Sequence, residues 1–228
     1  YTANGLNPNT RYWFRVRAAN AIGTSGNSGS ANGWTLANAV AAAPIVTANT
    51  TGTTVGLSWT APVGGAAGYV IQRSADGGAT WAQAATSNGS TVTVNGLQGL
   101  TNYQFRVLAR NGANVVAAAS PVRAVSTPLA APSAITAANG TTGGNVTAGL
   151  NFTGNNSTGA RYEVRYRNTQ NGSPWMGPVT SIPSQQIQVG GAARNLYMQV
   201  RAVNNTTGAV GAWLPTSNGG NGVIVSAR

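Results

Sequence analysis

The chain has 228 residues, 42% of them hydrophobic and only 7% charged, with thirteen cations against two acids and a formal charge of +11. Every cation is an arginine, and lysine, histidine and cysteine are absent, which removes disulfides, thiolate metal sites and histidine- or lysine-based acid–base pairs. The apolar share is enough for packed cores, while the charge deficit leaves the surface to Asn, Thr, Ser, Gln and Gly, residues that suit strands and turns better than helices.

In chain order, the first element is Gly5-Leu6-Asn7-Pro8-Asn9-Thr10-Arg11-Tyr12-Trp13-Phe14-Arg15-Val16-Arg17-Ala18-Ala19-Asn20. It returns 91 residues later as the stretch from Gly96 to Asn111 and more faintly from Leu196 to Asn204. A second pattern, Gly56-Leu57-Ser58-Trp59-Thr60, recurs 93 residues on as Gly149-Leu150-Asn151-Phe152-Thr153. Tyr69-Val70-Ile71-Gln72-Arg73 recurs at the same spacing of 93 as Tyr162-Glu163-Val164-Arg165-Tyr166. A period near 90 residues suits a whole small domain rather than a solenoid turn.

Within these elements the pattern has period two. Tyr103, Phe105, Val107 and Ala109 share one face, and Gln104, Arg106, Leu108 and Arg110 share the other. Such alternation predicts a strand buried on one side only, as in an antiparallel sandwich. Gly, Asn, Pro and Ser clusters separate the elements, completing an all-β signature.

These residues resemble the fibronectin type III family. Val55 to Pro62, with Trp59 and a trailing proline, resembles its second strand, and Gly68 to Arg73 its third. Asp76-Gly77-Gly78-Ala79-Thr80-Trp81 is similar to the hairpin of bacterial members. Gly96-Leu97 followed by Thr101-Asn102-Tyr103 resembles the turn into the sixth strand, with Tyr103 at the tyrosine corner. Pro121 to Thr127 is expected to be the last strand. The resemblance implies tandem immunoglobulin-like antiparallel β-sandwiches: 1–37 as the C-terminal strands of one domain, 38–128 as a complete domain and 129–228 as a divergent one. Short, proline-marked connectors around Pro44 and between Pro128 and Pro132 imply semi-rigid joints. The natural start is expected upstream of Tyr1, with the chain a piece of a longer array. In the third repeat, Leu196 stands at the corner position and Phe152 replaces Trp59, with Tyr166 and Trp175 expected to refill the volume.

The two acids, Asp76 and Glu163, lie in different repeats, Asp76 in a turn and Glu163 facing outward beside Arg161 and Arg165. Neither makes a paired catalytic acid, so no enzymatic site, no metal site and no cofactor is expected. The candidate interaction face is the outer side of the sixth strand and its neighbours: Trp13, Arg15 and Arg17; Arg106 and Arg110; Arg165, whose strand parity matches Arg161 and Glu163; and Tyr197 and Arg201. Aromatics beside arginines stack on sugars, hold cation–π contacts or bury against protein; a solvated sheet face whose arginine stems cover Trp13 is the bland alternative. Nucleic acid is disfavoured because no dense basic tract or binding motif accompanies the charge. Asn-x-Ser/Thr sequons at Asn49, Asn88, Asn139, Asn145, Asn151, Asn156 and Asn205 are expected by chance in so Asn- and Thr-rich a chain.

The expected role is a non-enzymatic extracellular or cell-surface stalk, adhesin rod or filament subunit, with protein contacts, self-association into a fibre, or anionic or neutral glycans as partners. The alternatives are an accessory spacer module of a secreted polysaccharide-degrading enzyme, or a phage tail or capsid decoration. No apolar run approaches the roughly 20 residues of a membrane helix.

Overall fold

The computed structural model describes residues 1–47, 51–142, 145–169, 173–181, 186–188, 194–215 and 222–227. Among them the regular secondary structure is all β, with antiparallel strand registers and one isolated parallel bridge between Gly99 and Asn156: β1 Arg11–Phe14, β2 Ala31–Trp34, β3 Ile45–Val46, β4 Val55–Ser58, β5 Gly68–Ser74, β6 Ala82–Ser87, β7 Thr91–Val94, β8 Asn102–Arg110, β9 Val116–Ala119, β10 Arg123–Ser126, β11 Ser133–Thr142, β12 Asn145–Thr153, β13 Ala160–Asn168, β14 Met176–Ser181, β15 Gln186–Gln188, β16 Arg194–Asn204 and β17 Val223–Ala227. Contacts divide the chain into two compact units. One gathers Tyr1–Thr50, Val55–Asn95 and Asn102–Val125; the other gathers Thr51–Thr54, Gly96–Thr101 and Ser126–Arg228.

In the first unit, β3-β4-β7 forms one sheet and β10-β8-β5-β6 another, with β9 also on β8. The expected alternation along β8 is seen: Tyr103, Phe105, Val107 and Ala109 are buried, while Gln104, Arg106, Leu108 and Arg110 are only partly covered. Val55, Leu57, Trp59, Tyr69, Ile71 and Val94 supply the rest of this core, and the Trp59 and Tyr69 rings meet edge to face at 5.1 Å. Burying six or more such side chains, each worth about 1.5–3 kcal/mol, is what a sandwich without disulfides needs to stand.

The last strand, expected over Pro121 to Thr127, is β10 within those bounds, and a further strand before it, β9, also pairs with β8. The break falls at Ser120-Pro121, because proline has no N–H to give the ladder. Ser120 covers the gap: its N–H donates to Val107 O (2.8 Å) and its hydroxyl accepts from the Val107 N–H (3.0 Å). Hydroxyls act similarly after β1, which ends at Phe14 rather than running on toward Asn20. The Val16 and Ala18 N–H groups donate to Ser28 Oγ (2.9 Å) and Ser25 Oγ (3.0 Å), so side chains replace part of the ladder. β1 pairs with β2 alone in a two-stranded sheet.

The second unit pairs β11-β12-β15 in one sheet and β14-β13-β16-β17 in the other. Its core joins Ala148, Leu150 and Phe152 of β12 to Tyr162 and Val164 of β13, and to Leu196, Met198, Val200 and Ala202 of β16. Leu196 is fully buried where the other repeats carry tyrosine. Tyr166 packs against this core as expected, but Trp175 does not refill it. Trp175 lies over the arginines of the opposite sheet face.

Candidate interaction face

Residues that alternate along β13 and β16 build the outer face of the second unit. The register sets Glu163 opposite Arg201, Arg165 opposite Gln199 and Arg167 opposite Tyr197. Side chains directly opposite one another share a face of the sheet, so these six lie together. Arg167, not among the candidate residues read from the sequence, therefore belongs with Arg165. A third contributor is the segment that follows β16. Val200 and Leu214 exchange both backbone hydrogen bonds, at 2.6 and 2.9 Å, and the Gly211 N–H donates to Ala202 O, which brings Trp213 beside the same face.

The result is a stack of alternating guanidiniums and rings. Arg167 lies over Tyr197 (5.8 Å) and Trp175 (4.8 Å), and Arg165 lies over Trp175 (4.3 Å) and Trp213 (4.5 Å). Arg201 also lies over Trp213, at 4.4 Å. Each contact is worth about 0.5–2 kcal/mol, toward the upper end where water is excluded. Hydrogen bonds orient the stack from below. Arg165 donates from Nε and Nη2 to Gln199 Oε1 at 2.9 and 2.6 Å, and Gln199, buried itself, donates to Pro215 O at 3.0 Å.

Glu163 closes one end, on the outward face expected of it but covered by its neighbours. The residue is 8% exposed. It accepts from Arg201 Nε (3.0 Å) and Nη2 (2.8 Å) on one oxygen and from Arg161 Nη2 (3.1 Å) on the other. Burial pushes its pKa up, but the hydrogen bonds and charges of Arg201 and then Arg161 outweigh that and hold it below the usual glutamate value. Arg165 is pulled below the ordinary arginine value by burial first, then by repulsion from Arg201 and Arg167. Two guanidiniums, Arg161 and Arg201, thus share one carboxylate.

The middle repeat carries a smaller version. Arg106 lies over Trp81 at 4.1 Å and donates from Nε to Gln72 Oε1 at 2.8 Å. Offset by the 93-residue repeat, Gln72 corresponds to Arg165 and Arg106 to Gln199. The arginine and its glutamine have changed strands between repeats, yet each pair keeps its hydrogen bond and its hairpin tryptophan. Trp81 is set by the turn before it: its Nε1 donates to Gly78 O (3.0 Å), and Asp76 accepts from the Ser74 hydroxyl (2.6 Å), the Thr80 N–H (3.0 Å) and the Thr80 hydroxyl. Hydrogen bonds from Ser74 and then Thr80, all within the turn, lower the Asp76 pKa strongly. Arg110, also on the outer side of β8, donates to Asn88 Oδ1 at 3.1 Å.

On the first segment, Trp13 is 60% exposed and stacks on Arg11 (4.8 Å), which in turn donates to Asn32 Oδ1 (3.0 Å). Arg15 is exposed, and Arg17 donates to Ser25 O at 3.0 Å. The sequence reading thus found Arg165, Tyr197 and Arg201 together and Arg106 at the equivalent place. It missed Arg11, Trp81, Trp175 and Trp213, and it missed Glu163 and the two glutamines as orienting groups. Comparing outward positions at the 93-residue offset was the signal that exposes the exchanged pair.

A family model described as the fibronectin type III domain matches residues 41–125. Chitinase A1 of Niallia circulans is 33% identical over 138 residues, covering 55% of this chain and 19% of that protein. Endoglucanase B of Cellulomonas fimi is 37% identical over 142 residues, covering 56% of this chain and 13% of that protein. The chain thus spans less than a fifth of either relative. Similar solved structures include titin domains A168–A170 (25% identical, TM-score 0.36, 55% of this chain and 44% of that one). Another is a two-domain type III segment of chicken tenascin (18% identical, TM-score 0.41, 76% and 95%).

Proposed function

With residues 41–125 a fibronectin type III domain, we propose that this chain is a non-catalytic accessory spacer within a secreted, polysaccharide-degrading protein. The observation that carries the reading is the similarity to stretches of a chitinase and an endoglucanase, each match confined to a small part of the enzyme. In this reading 1–37 is the C-terminal end of one sandwich repeat, 38–128 a complete repeat and 129–228 a divergent one, the location is extracellular, and the arginine–aromatic faces make the contacts to neighbouring modules or to glycan. The test is the complete reading frame around this segment, followed by its deletion. A glycoside-cleaving domain is expected in the same frame. Removing residues 1–228 should leave hydrolysis of soluble oligosaccharides unchanged and lower hydrolysis of insoluble polymer. A frame holding further repeats and no catalytic domain refutes the reading.

One observation favours a second reading, a surface rod. Within the second unit the proline-marked connector is tied down on both sides. Thr127 Oγ1 donates to Gln98 O (2.7 Å), the Ala130 N–H donates to Asn156 Oδ1 (2.7 Å), and Asn156 Nδ2 donates back to Ala130 O (2.8 Å). A short connector marked by Pro128 and Pro132 suits a load-bearing stalk more than a flexible tether. Isolated, unbranched rods carrying only repeats, seen by electron microscopy of the parent protein, are the outcome that reading expects.

A further inference from the structure

We propose that Asn88, in the turn between β6 and β7, is a self-modifying site: the peptide nitrogen of Gly89 displaces its side-chain amine, and the resulting carboxylate pairs with Arg110. The case rests on three groups that converge on one Asn-Gly step. Asn88 and Gly89 are exposed, so water reaches both. Gly89 carries no side chain to crowd the approach of its own nitrogen. Its N–H donates to Ser87 Oγ at 3.1 Å, while the Ser87 hydroxyl proton faces Gly89 O and Thr91 O, both at 2.9 Å. An oxygen lone pair therefore already sits on the proton that must leave. Arg110 Nη2 donates to Asn88 Oδ1 at 3.1 Å. A guanidinium has no acceptor, so the amide oxygen is the atom that faces it, and negative charge gathers on that oxygen when the amide carbon is attacked.

The step balances with water as the one co-reactant. Gly89 N bonds to Asn88 Cγ and loses its proton; the Cγ–Nδ2 bond breaks, and the amine leaves as ammonia from a closed five-membered imide. Water then opens the imide to aspartate or isoaspartate, one water consumed for each ammonia released. The aspartate has a partner in place. Of the chain's two acids, Asp76 is bound within its own turn and Glu163 by Arg161 and Arg201. Arg110 donates to a neutral amide, and its Nε is buried without a hydrogen-bond partner. A carboxylate at position 88 replaces the neutral acceptor by a charged one, which makes the stronger bond. Other Asn-Gly steps lack this combination. Asn111 is buried, its Oδ1 accepts from the Ala113 and Val115 N–H groups (3.0 and 2.9 Å) and its Nδ2 donates to Thr35 O (3.0 Å), which fixes the amide. Asn32 also accepts from an arginine, Arg11, but lies within β2 opposite Trp13, where the extended ladder holds the Gly33 nitrogen in the strand.

The test incubates the 228-residue chain at neutral pH, folded and in urea, and follows amide-to-acid conversion at each Asn-Gly step by peptide mass mapping. Asn95, exposed just past β7 and also followed by glycine, is the internal reference. In urea the two sites should convert at equal rates. In the folded chain Asn88 should convert at least about threefold faster than Asn95, well short of the roughly 100-fold of an enclosed oxyanion hole because water reaches this turn. Arg110→Met should return the ratio of the two sites to its urea value while β5 amide exchange stays protected. Conversion at Asn88 no faster than at Asn95 in the folded wild type overturns the proposal, however the variant folds. An excess at Asn88 that survives Arg110→Met overturns it as well, because the guanidinium would then have no part in the step.

Discussion

Replacing Glu163 by Gln tests the reading of the second unit's outer face most directly. Gln keeps the shape and one acceptor oxygen but removes the carboxylate shared by Arg161 and Arg201 while Arg165 and Arg167 stand nearby. The Arg201 side chain is 21% exposed and that of Glu163 11%, so their charge-assisted bonds are worth about 1.5–3 kcal/mol. Arg161 is 41% exposed, and its bond is discounted to about 0–0.5 kcal/mol. The expected loss is about 2 kcal/mol, below the ~3–5 kcal/mol of a fully buried pair because solvent still reaches both arginines. That corresponds to roughly 30-fold faster native-state exchange at the β13 and β16 amides, while β5 and β8 amides in the other unit serve as the unchanged control. The effect is also pH-dependent. The native pKa of Glu163 lies below its unfolded value, so its contribution is present above about pH 4.3 and is lost as pH falls through the native value. The gap between wild type and Glu163→Gln must therefore narrow on acidification. Equal exchange at pH 7, or a gap that does not change with pH, would refute the reasoning.

Exchanging Gln72 and Arg106, as Q72R with R106Q, should recover most of the exchange protection at β5 and β8 that either single change loses, since the third repeat already carries the swapped arrangement. Additive losses in the double variant would show that the pair is not interchangeable. Phe105→Ala should destabilise the middle repeat by about 3–5 kcal/mol in urea unfolding, whereas Phe14→Ala at the same repeat position should change stability by less than about 1 kcal/mol. For Asp76, carbon-detected titration should place the carboxyl below the ordinary aspartate range. The hairpin's hold on Trp81 should be present above about pH 3.9 and weaken as pH falls through the native value. Asp76→Ala should shift the Trp81 indole signal at neutral pH, and an unmoved signal would mean that Ser74 and Gly78 hold the turn without it.

Much of the fold was legible because strand alternation is a local property. Tyr103 to Arg110 announce a one-sided strand without reference to any neighbour, and the 93-residue offset announces that the unit repeats. The candidate face was half legible. Parity alone places Arg165, Tyr197 and Arg201 on one side, but parity stops where regular strands stop. Trp213 arrives on an irregular segment after β16 and Trp175 just before β14, so neither has a parity to read. The separate strand β9 ahead of Ser120-Pro121 was hidden for a related reason: whether a serine hydroxyl can stand in for a ladder bond depends on the distance to Val107, which composition does not encode.

Sequence by itself determined the antiparallel β class, the repeat length, the apolar sides of the long strands and the lack of histidine, cysteine and lysine chemistry. All of these follow from residue identity and period. Only the tertiary structure decided which arginine meets which ring, that Glu163 lies covered beneath two guanidiniums, and that Phe14 is exposed while its repeat partner Phe105 is buried. The physical reason is the same in each case. A side chain's direction is set by its own backbone, but its burial, charge state and contacts are set by whatever strand the fold lays beside it.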